Sequence, residues 1–147
     1  MKVIIGCDHG GFNLKRKIIE YLNICDYEVL DVGCFSEDSC DYPVIAKQVA
    51  EKVLESNSNL GILVCGTGIG MSIYANKFKG IRASHCTDTF SARLTRQHND
   101  SNILCLGERI TGVGLAIDIV KEWLNASFEG GRHQRRVDMI NMLDNER

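Results

Sequence analysis

Along this chain, short apolar runs alternate with segments whose apolar positions recur every three or four residues. Residues 3–7, 28–32, 61–65, 81–86 and 102–106 have strand length. They lack the solvent-side alternation of a half-exposed strand, as expected of strands covered on both faces. Between them lie helical periods. The first carries Leu14, Ile18, Ile19 and Leu22 inward, with Lys15, Arg16 and Lys17 outward. The second opens on Pro43, which suits a first helical turn, and carries Ile45, Val49, Val53 and Leu54. A third is expected over about 69–78 and a fourth over about 89–98. The fifth uses Leu115, Ile119, Val120 and Trp123. The last, after Gly130-Gly131, uses Val137, Ile140 and Leu143.

Repeated strand–helix units predict an α/β fold. The expected form is a single doubly wound, Rossmann-like domain over residues 1–147, with a five-stranded parallel sheet and helices on both faces. Ligands of such sheets bind at the carboxyl ends of the strands. Those ends read Cys7-Asp8-His9-Gly10, Gly33, Cys65-Gly66-Thr67-Gly68, Thr87-Asp88 and Gly107-Glu108-Arg109. Most groups capable of chemistry fall on that edge.

Composition narrows the classes. With 147 residues, 44% of them hydrophobic, one core is affordable, and a net charge of −2 gives no electrostatic footprint for nucleic acid or an anionic membrane. No apolar run approaches the ~18 residues of a membrane span. MKVIIGCDHGG turns polar too early for a signal-peptide core, so a cytoplasmic protein is expected. Seven cysteines, none spaced C-x-x-C, read as reduced and mostly structural thiols rather than disulfides or a zinc site.

The run LVCGTGIGMS, from Leu63 to Ser72, matches neither the G-x-x-x-x-G-K-[ST] phosphate loop nor the G-x-G-x-x-G fingerprint. A strand leading through glycines into a helix still collects free amides and a positive helix end around one point. That point suits a phosphate or a reaction oxyanion. Gly66, Gly68 and Gly70 would form the cradle, and Thr67 can donate its hydroxyl. Cys65 at the threshold reads as a buried strand-end thiol or as one activated by the helix end. Asp8 is an N-cap of the first helix, a ligand for sugar hydroxyls, or both, with His9 beside it. Arg132 and Arg136, four apart, share a helix face and form either a phosphate clamp or a solvated basic surface. His98 and Asn99 end a helix that leaves the carboxyl edge, so they belong at the opposite edge from Cys65. They either cap that helix or reach a neighbouring subunit's site.

The ordered blocks GCDHGGF, DYP, CGTGIG, NKFKGIRA, RQHND and EGGRHQRRV resemble the type B ribose-5-phosphate isomerases over essentially the whole chain. Galactose-6-phosphate isomerase, in the same superfamily, is less similar through the last two blocks. The resemblance implies interconversion of ribose 5-phosphate and ribulose 5-phosphate through a cis-enediolate, without cofactor or metal. It implies Cys65 as general base and Thr67 with the loop amides as enediolate stabilisers. It implies His98, with Asn99, for ring opening across a dimer interface. Asp8 and Tyr42 resemble sugar contacts; His9, Arg132 and Arg136 resemble phosphate ligands, with Arg109 an addition. The implied assembly is a homodimer with shared sites, alone or paired into a tetramer. A second class, a sugar-phosphate-binding regulatory module, would keep the site without turnover; the full set of catalytic residues counts against it. A redox thiol protein would need a C-x-x-C partner that the chain lacks.

Overall fold

The computed structural model describes residues 1–144. Its elements are β1 (Lys2–Cys7), α1 (Phe12–Ile24), β2 (Glu28–Asp31), α2 (Tyr42–Leu54), β3 (Leu60–Cys65), α3 (Ile69–Ala75), β4 (Ala83–His85), α4 (Thr89–Asn99), β5 (Ile103–Gly107), α5 (Val113–Asn125) and α6 (Arg132–Leu143). A short 3-10 turn, His9–Gly11, links β1 to α1. The five strands pair in parallel in the order β2-β1-β3-β5-β4. The expected α/β architecture is therefore what the chain adopts. None of the helices among the described residues is long and apolar enough to cross a membrane.

Two apolar layers fill the space on either face. On one, Leu14, Ile18 and Leu22 of α1 and Ile119, Val120 and Trp123 of α5 pack on Val3, Ile5, Ile62, Val64 and Leu104. On the other, Val49 and Val53 of α2 and Met71 and Ala75 of α3 pack on Ile4, Leu63, Ile103 and Cys105. Each large side chain removed from water contributes about 1.5–3 kcal/mol, so the central strands are held from both sides. The edge strands β2 and β4 are only half-buried. At β4 the side-chain amide of Asn76 takes the place of a further strand. Its Nδ2 donates to the Ala83 carbonyl and its Oδ1 accepts from the Ala83 amide, each at 2.8 Å.

Two sequence expectations need correction. Lys15 does not face solvent: it is 1% exposed. Its ammonium donates to both Asp31 carboxylate oxygens at 2.8 Å and to the Cys34 carbonyl at 2.7 Å. Carboxylate and carbonyl together satisfy the buried charge, and the Phe12 and Phe35 rings flank it. The last helix buries Val137 but leaves Ile140 and Leu143 about half exposed. α6 lies over the end of α4 rather than on the sheet, so one turn of it is enough to dock. Leu54 and Leu115 are likewise exposed at the margins of their helices.

Candidate functional site

The strand order places the topological switch between β1 and β3, where successive connections leave in opposite directions. Both glycine-bearing turns emerge there. A side-chain carbon at Gly10 would sit 3.2 Å from the Gly66 nitrogen, and one at Gly11 would sit 2.5 Å from the Val64 carbonyl. The two turns touch only because these positions carry no side chain.

In the first turn, Asp8 is 8% exposed, and its Oδ1 accepts from the Gly10 amide at 2.8 Å. It caps the 3-10 turn and not, as the sequence suggests, the first helix. That duty falls to Glu108, whose Oε2 accepts from the Leu14 amide at 2.8 Å. Burial raises the Asp8 carboxyl above its ordinary range, against the lowering pull of the Gly10 amide, His9 and Arg109. The Cys40 amide donates to His9 Nδ1 at 3.3 Å. That bond leaves Nε2 as the nitrogen carrying a proton in the neutral ring, free to donate.

In the second turn, Cys65 ends β3 at 5% exposure, and its Sγ accepts from the Gly68 amide at 3.0 Å. Thr67 Oγ1 accepts from Ile69 N at 3.3 Å. Two amides of the expected cradle are thus engaged within the loop, one of them on the thiol itself. Gly68 holds φ +79°, a left-handed conformation costly for other residues, and a side-chain carbon there would lie 2.7 Å from the His85 ring. Gly70 leaves room for the ring of Tyr42, which would lie 2.9 Å from a side-chain carbon there. The Arg109 guanidinium lies over Gly66 of its own chain, 3.5 Å from the equivalent point. Burial pushes the other sheet thiols up, Cys7 to about 12 and Cys86 to about 11, with Cys105 well above its ordinary range. They remain neutral. Asp8, His9, Tyr42, Cys65, Thr67, the loop glycines and Arg109 therefore form one group.

His98, Asn99, Arg132 and Arg136 form another. α4 starts after the carboxyl end of β4 and finishes where Arg82, which precedes β4, donates to the Asn99 carbonyl at 3.0 Å. A helix of 11 residues spans ~16 Å, the length of the sheet. At its end the His98 ring stacks on His133, with centroids 4.1 Å apart and planes 6° apart. Glu129 Oε2 lies 3.9 Å from His98 Nε2 and 3.7 Å from His133 Nε2. The ligand atoms of these three residues fall within 4.8 Å of one another. Parallel stacked rings aim their lone pairs side by side rather than at one point, and Arg132 Nε already faces His133 Nε2 at 3.4 Å. The arrangement is a stacked pair beside a carboxylate, not a metal cage. Arg132 and Arg136 stand exposed at the start of α6.

Sequence reasoning did not single out Glu129, His133, Glu108 or Asp100. Asp100, at φ 46°, holds two guanidinium groups: Arg82 Nη2 and Arg96 Nη1 each donate to it at 2.8 Å. It locks the end of α4 and with it His98. Glu129 and His133 lie in the EGGRHQRRV block, where Arg132 and Arg136 drew the attention. Glu108 falls at a strand end that the sequence marks, but nothing local points to its bond with the Leu14 amide.

A family model for Ribose/Galactose Isomerase matches residues 3–140. The chain is 50% identical over 146 residues to ribose-5-phosphate isomerase B of Escherichia coli, covering 99% of this chain and 98% of that one. Among solved structures it resembles ribose-5-phosphate isomerase B of Clostridium thermocellum, with a TM-score of 0.97 and 51% identity over 99% of both chains. It also resembles that of Mycoplasma genitalium with bound ribulose 5-phosphate, with a TM-score of 0.95 and 42% identity over 99% of this chain and 97% of that one.

Proposed function

The chain belongs to the ribose/galactose isomerase family, and from that premise we propose that it interconverts ribose 5-phosphate and ribulose 5-phosphate in sites shared between two copies of itself. One observation carries the shared site. The groups suited to proton transfer at carbon and those suited to ring opening and phosphate capture lie at opposite ends of one sheet. Neither group is sufficient alone, and a two-fold related copy would bring one against the other.

In that arrangement His98 of the partner subunit opens the furanose by moving a proton between the anomeric hydroxyl and the ring oxygen. Glu129 and His133 hold its ring in place. Cys65 Sγ takes the proton from C2 and returns it to C1. The Gly68 amide at 3.0 Å stabilises the thiolate during that exchange. Thr67 and the remaining loop amides meet the enediolate oxygens as charge develops there. Asp8, Tyr42 and the partner's Asn99 bind sugar hydroxyls. The phosphate lies between His9 and Arg109 of one chain and the partner's Arg132 and Arg136. The ribulose 5-phosphate bound to the Mycoplasma genitalium relative supports this substrate class.

The test is complementation. Cys65→Ala and His98→Ala proteins, each inactive alone, are unfolded together, refolded, and assayed with ribose 5-phosphate beside galactose 6-phosphate. Random pairing restores one intact site in half of the dimers, so about a quarter of wild-type turnover should return. Mixed dimers without turnover would remove the shared site. A wild type active only on galactose 6-phosphate would overturn the substrate assignment.

A further inference from the structure

We infer that the start of α5 carries a ligand site apart from the one proposed above, built for a small phosphate monoester that also bears a hydroxyl. Between the first turns of α1 and α5 lies a cavity of about 300 Å³, a size that suits a small metabolite. Its walls include Arg16 and Lys17 of α1, Glu108 and Thr111 from the end of β5 and the turn after it, and Gly112 and Val113 where α5 begins. None of these residues has a part in the proposed chemistry.

Two independent observations point to an anion. The first is the helix end. α5 runs 13 residues from Val113 to Asn125, and no side chain caps it. Its first amides therefore lack acceptors within the helix and lie at the positive end of its dipole. A side-chain carbon at Gly112 or Gly114 would meet nothing within 4 Å, so a ligand can approach the backbone there. The second is Thr111. It is 3% exposed, and its hydroxyl has no hydrogen-bond partner among the described residues. A buried hydroxyl left unpaired carries a desolvation cost that a partner would remove. Thr111 lines the cavity, so a ligand held there can be that partner.

The walls supply charge at one end and an acceptor at the other. Arg16 makes no ion pair among the described residues; its guanidinium rests 5.9 Å from the Phe12 ring centroid. Lys17 pairs only with Glu20 at 2.9 Å, and both side chains are 54% exposed, so water screens the pair. Both cations can swing onto a phosphate at the helix end. Glu108 faces the remainder of the ligand. Its Oε2 is engaged by the Leu14 amide at 2.8 Å, and its Oε1 has no partner among the described residues. A carboxylate oxygen repels a bare anion but accepts from a hydroxyl. Free amides, a hydroxyl and two cations beside one acceptor match a phosphorylated polyol better than inorganic phosphate. The site stands whether or not the chain isomerises ribose 5-phosphate.

The experiment titrates the isotope-labelled wild-type protein with methyl phosphate and with glycerol 3-phosphate, against sodium chloride at matched ionic strength. It follows the amide resonances of Gly112, Val113 and Gly114. They should move and saturate with either monoester and stay still with chloride. Glycerol 3-phosphate should bind at least about threefold more tightly than methyl phosphate, as one added hydrogen bond allows. Thr111→Val and Arg16→Gln should each weaken binding about two- to tenfold. Arg16 is exposed, so Arg16→Gln should keep the wild-type Tm and carries the test even where Thr111→Val folds poorly. Shifts that follow ionic strength alone would overturn the site. So would shifts that persist unchanged in Arg16→Gln, since they would report a ligand held at the catalytic edge. Equal affinity for the two monoesters would overturn the role of Glu108 and with it the polyol class.

Discussion

The carboxyl-edge group and the amino-edge group are built by opposite means. Around Cys65 the shape comes from backbone: glycines at touching turns, a left-handed Gly68, and a thiol 5% exposed beneath an amide. Around His98 it comes from side chains reaching between helices, with a stacked imidazole pair, a carboxylate and two exposed arginines. A backbone-built site holds its geometry even when one of its side chains is trimmed. A side-chain-built site depends on whatever clamps its elements together. Substitutions in the two groups should therefore fail differently.

The sharpest contrast is Cys65→Ala. Removing a general base typically costs about 10²–10⁴ in rate. Because the loop is shaped by its glycines, kcat should fall in that range while Tm and sugar-phosphate binding stay near wild type. Calorimetry with ribose 5-phosphate beside a coupled assay checks both. Turnover within a few fold of wild type would make the thiol structural.

Asp100→Ala should fail by loosening the fold. It strips the carboxylate shared by Arg82 and Arg96, whose side chains are 15% and 14% exposed. Breaking a fully buried pair costs about 3–5 kcal/mol, and with a third of Asp100 in water the loss should be about 2–3 kcal/mol. Urea unfolding measures it. The frayed end of α4 should also keep the variant from supplying a working His98 to a Cys65→Ala partner. Wild-type stability would show that the clamp does not hold the amino-edge group.

The smallest effect is a pH dependence of stability. Burial first, then the neighbouring His98 and Arg132, hold His133 below the usual imidazole value of 6.5. As pH falls through about 6.5 the unfolded chain takes up this proton and the folded chain does not, so stability declines until the folded ring protonates. Asp8 has the opposite sign: its raised carboxyl gains stability only at lower pH, as it protonates in the folded state first. Unfolding curves from about pH 7.5 to about pH 5 should slope more steeply in wild type than in His133→Gln. Equal slopes would show that His133 is not held below the usual imidazole value.

The same division explains what the sequence revealed. Cys65, the loop glycines, Asp8 and His9 could be read because strand ends and glycine spacing are local signals, and the parallel sheet turns them into one place. The end of α4 could be assigned to the far edge from helix direction alone. Lys15 could not: its period places it outward, and only Asp31 across the β2 pairing gives the charge a reason to be buried. Glu108 serves an amide 94 positions away, a pairing no local pattern contains. Ile140 and Leu143 follow a helical period with no sheet beneath them, so periodicity overstated the core.

Asn76 bears on how copies of the chain can meet. With both outward groups of Ala83 already occupied, an incoming extended segment finds little main chain to pair with at this border of the sheet. Pairing of a further strand with β4 is thereby disfavoured at Ala83, and the side chains of the neighbouring helices are left as the surface on which copies can meet at this border. Such contacts can be sized to stop at a closed pair, where strand addition would go on into filaments. Replacing Asn76 by a residue without its amide would reopen a seam for aggregation at a point remote from any chemistry the molecule performs.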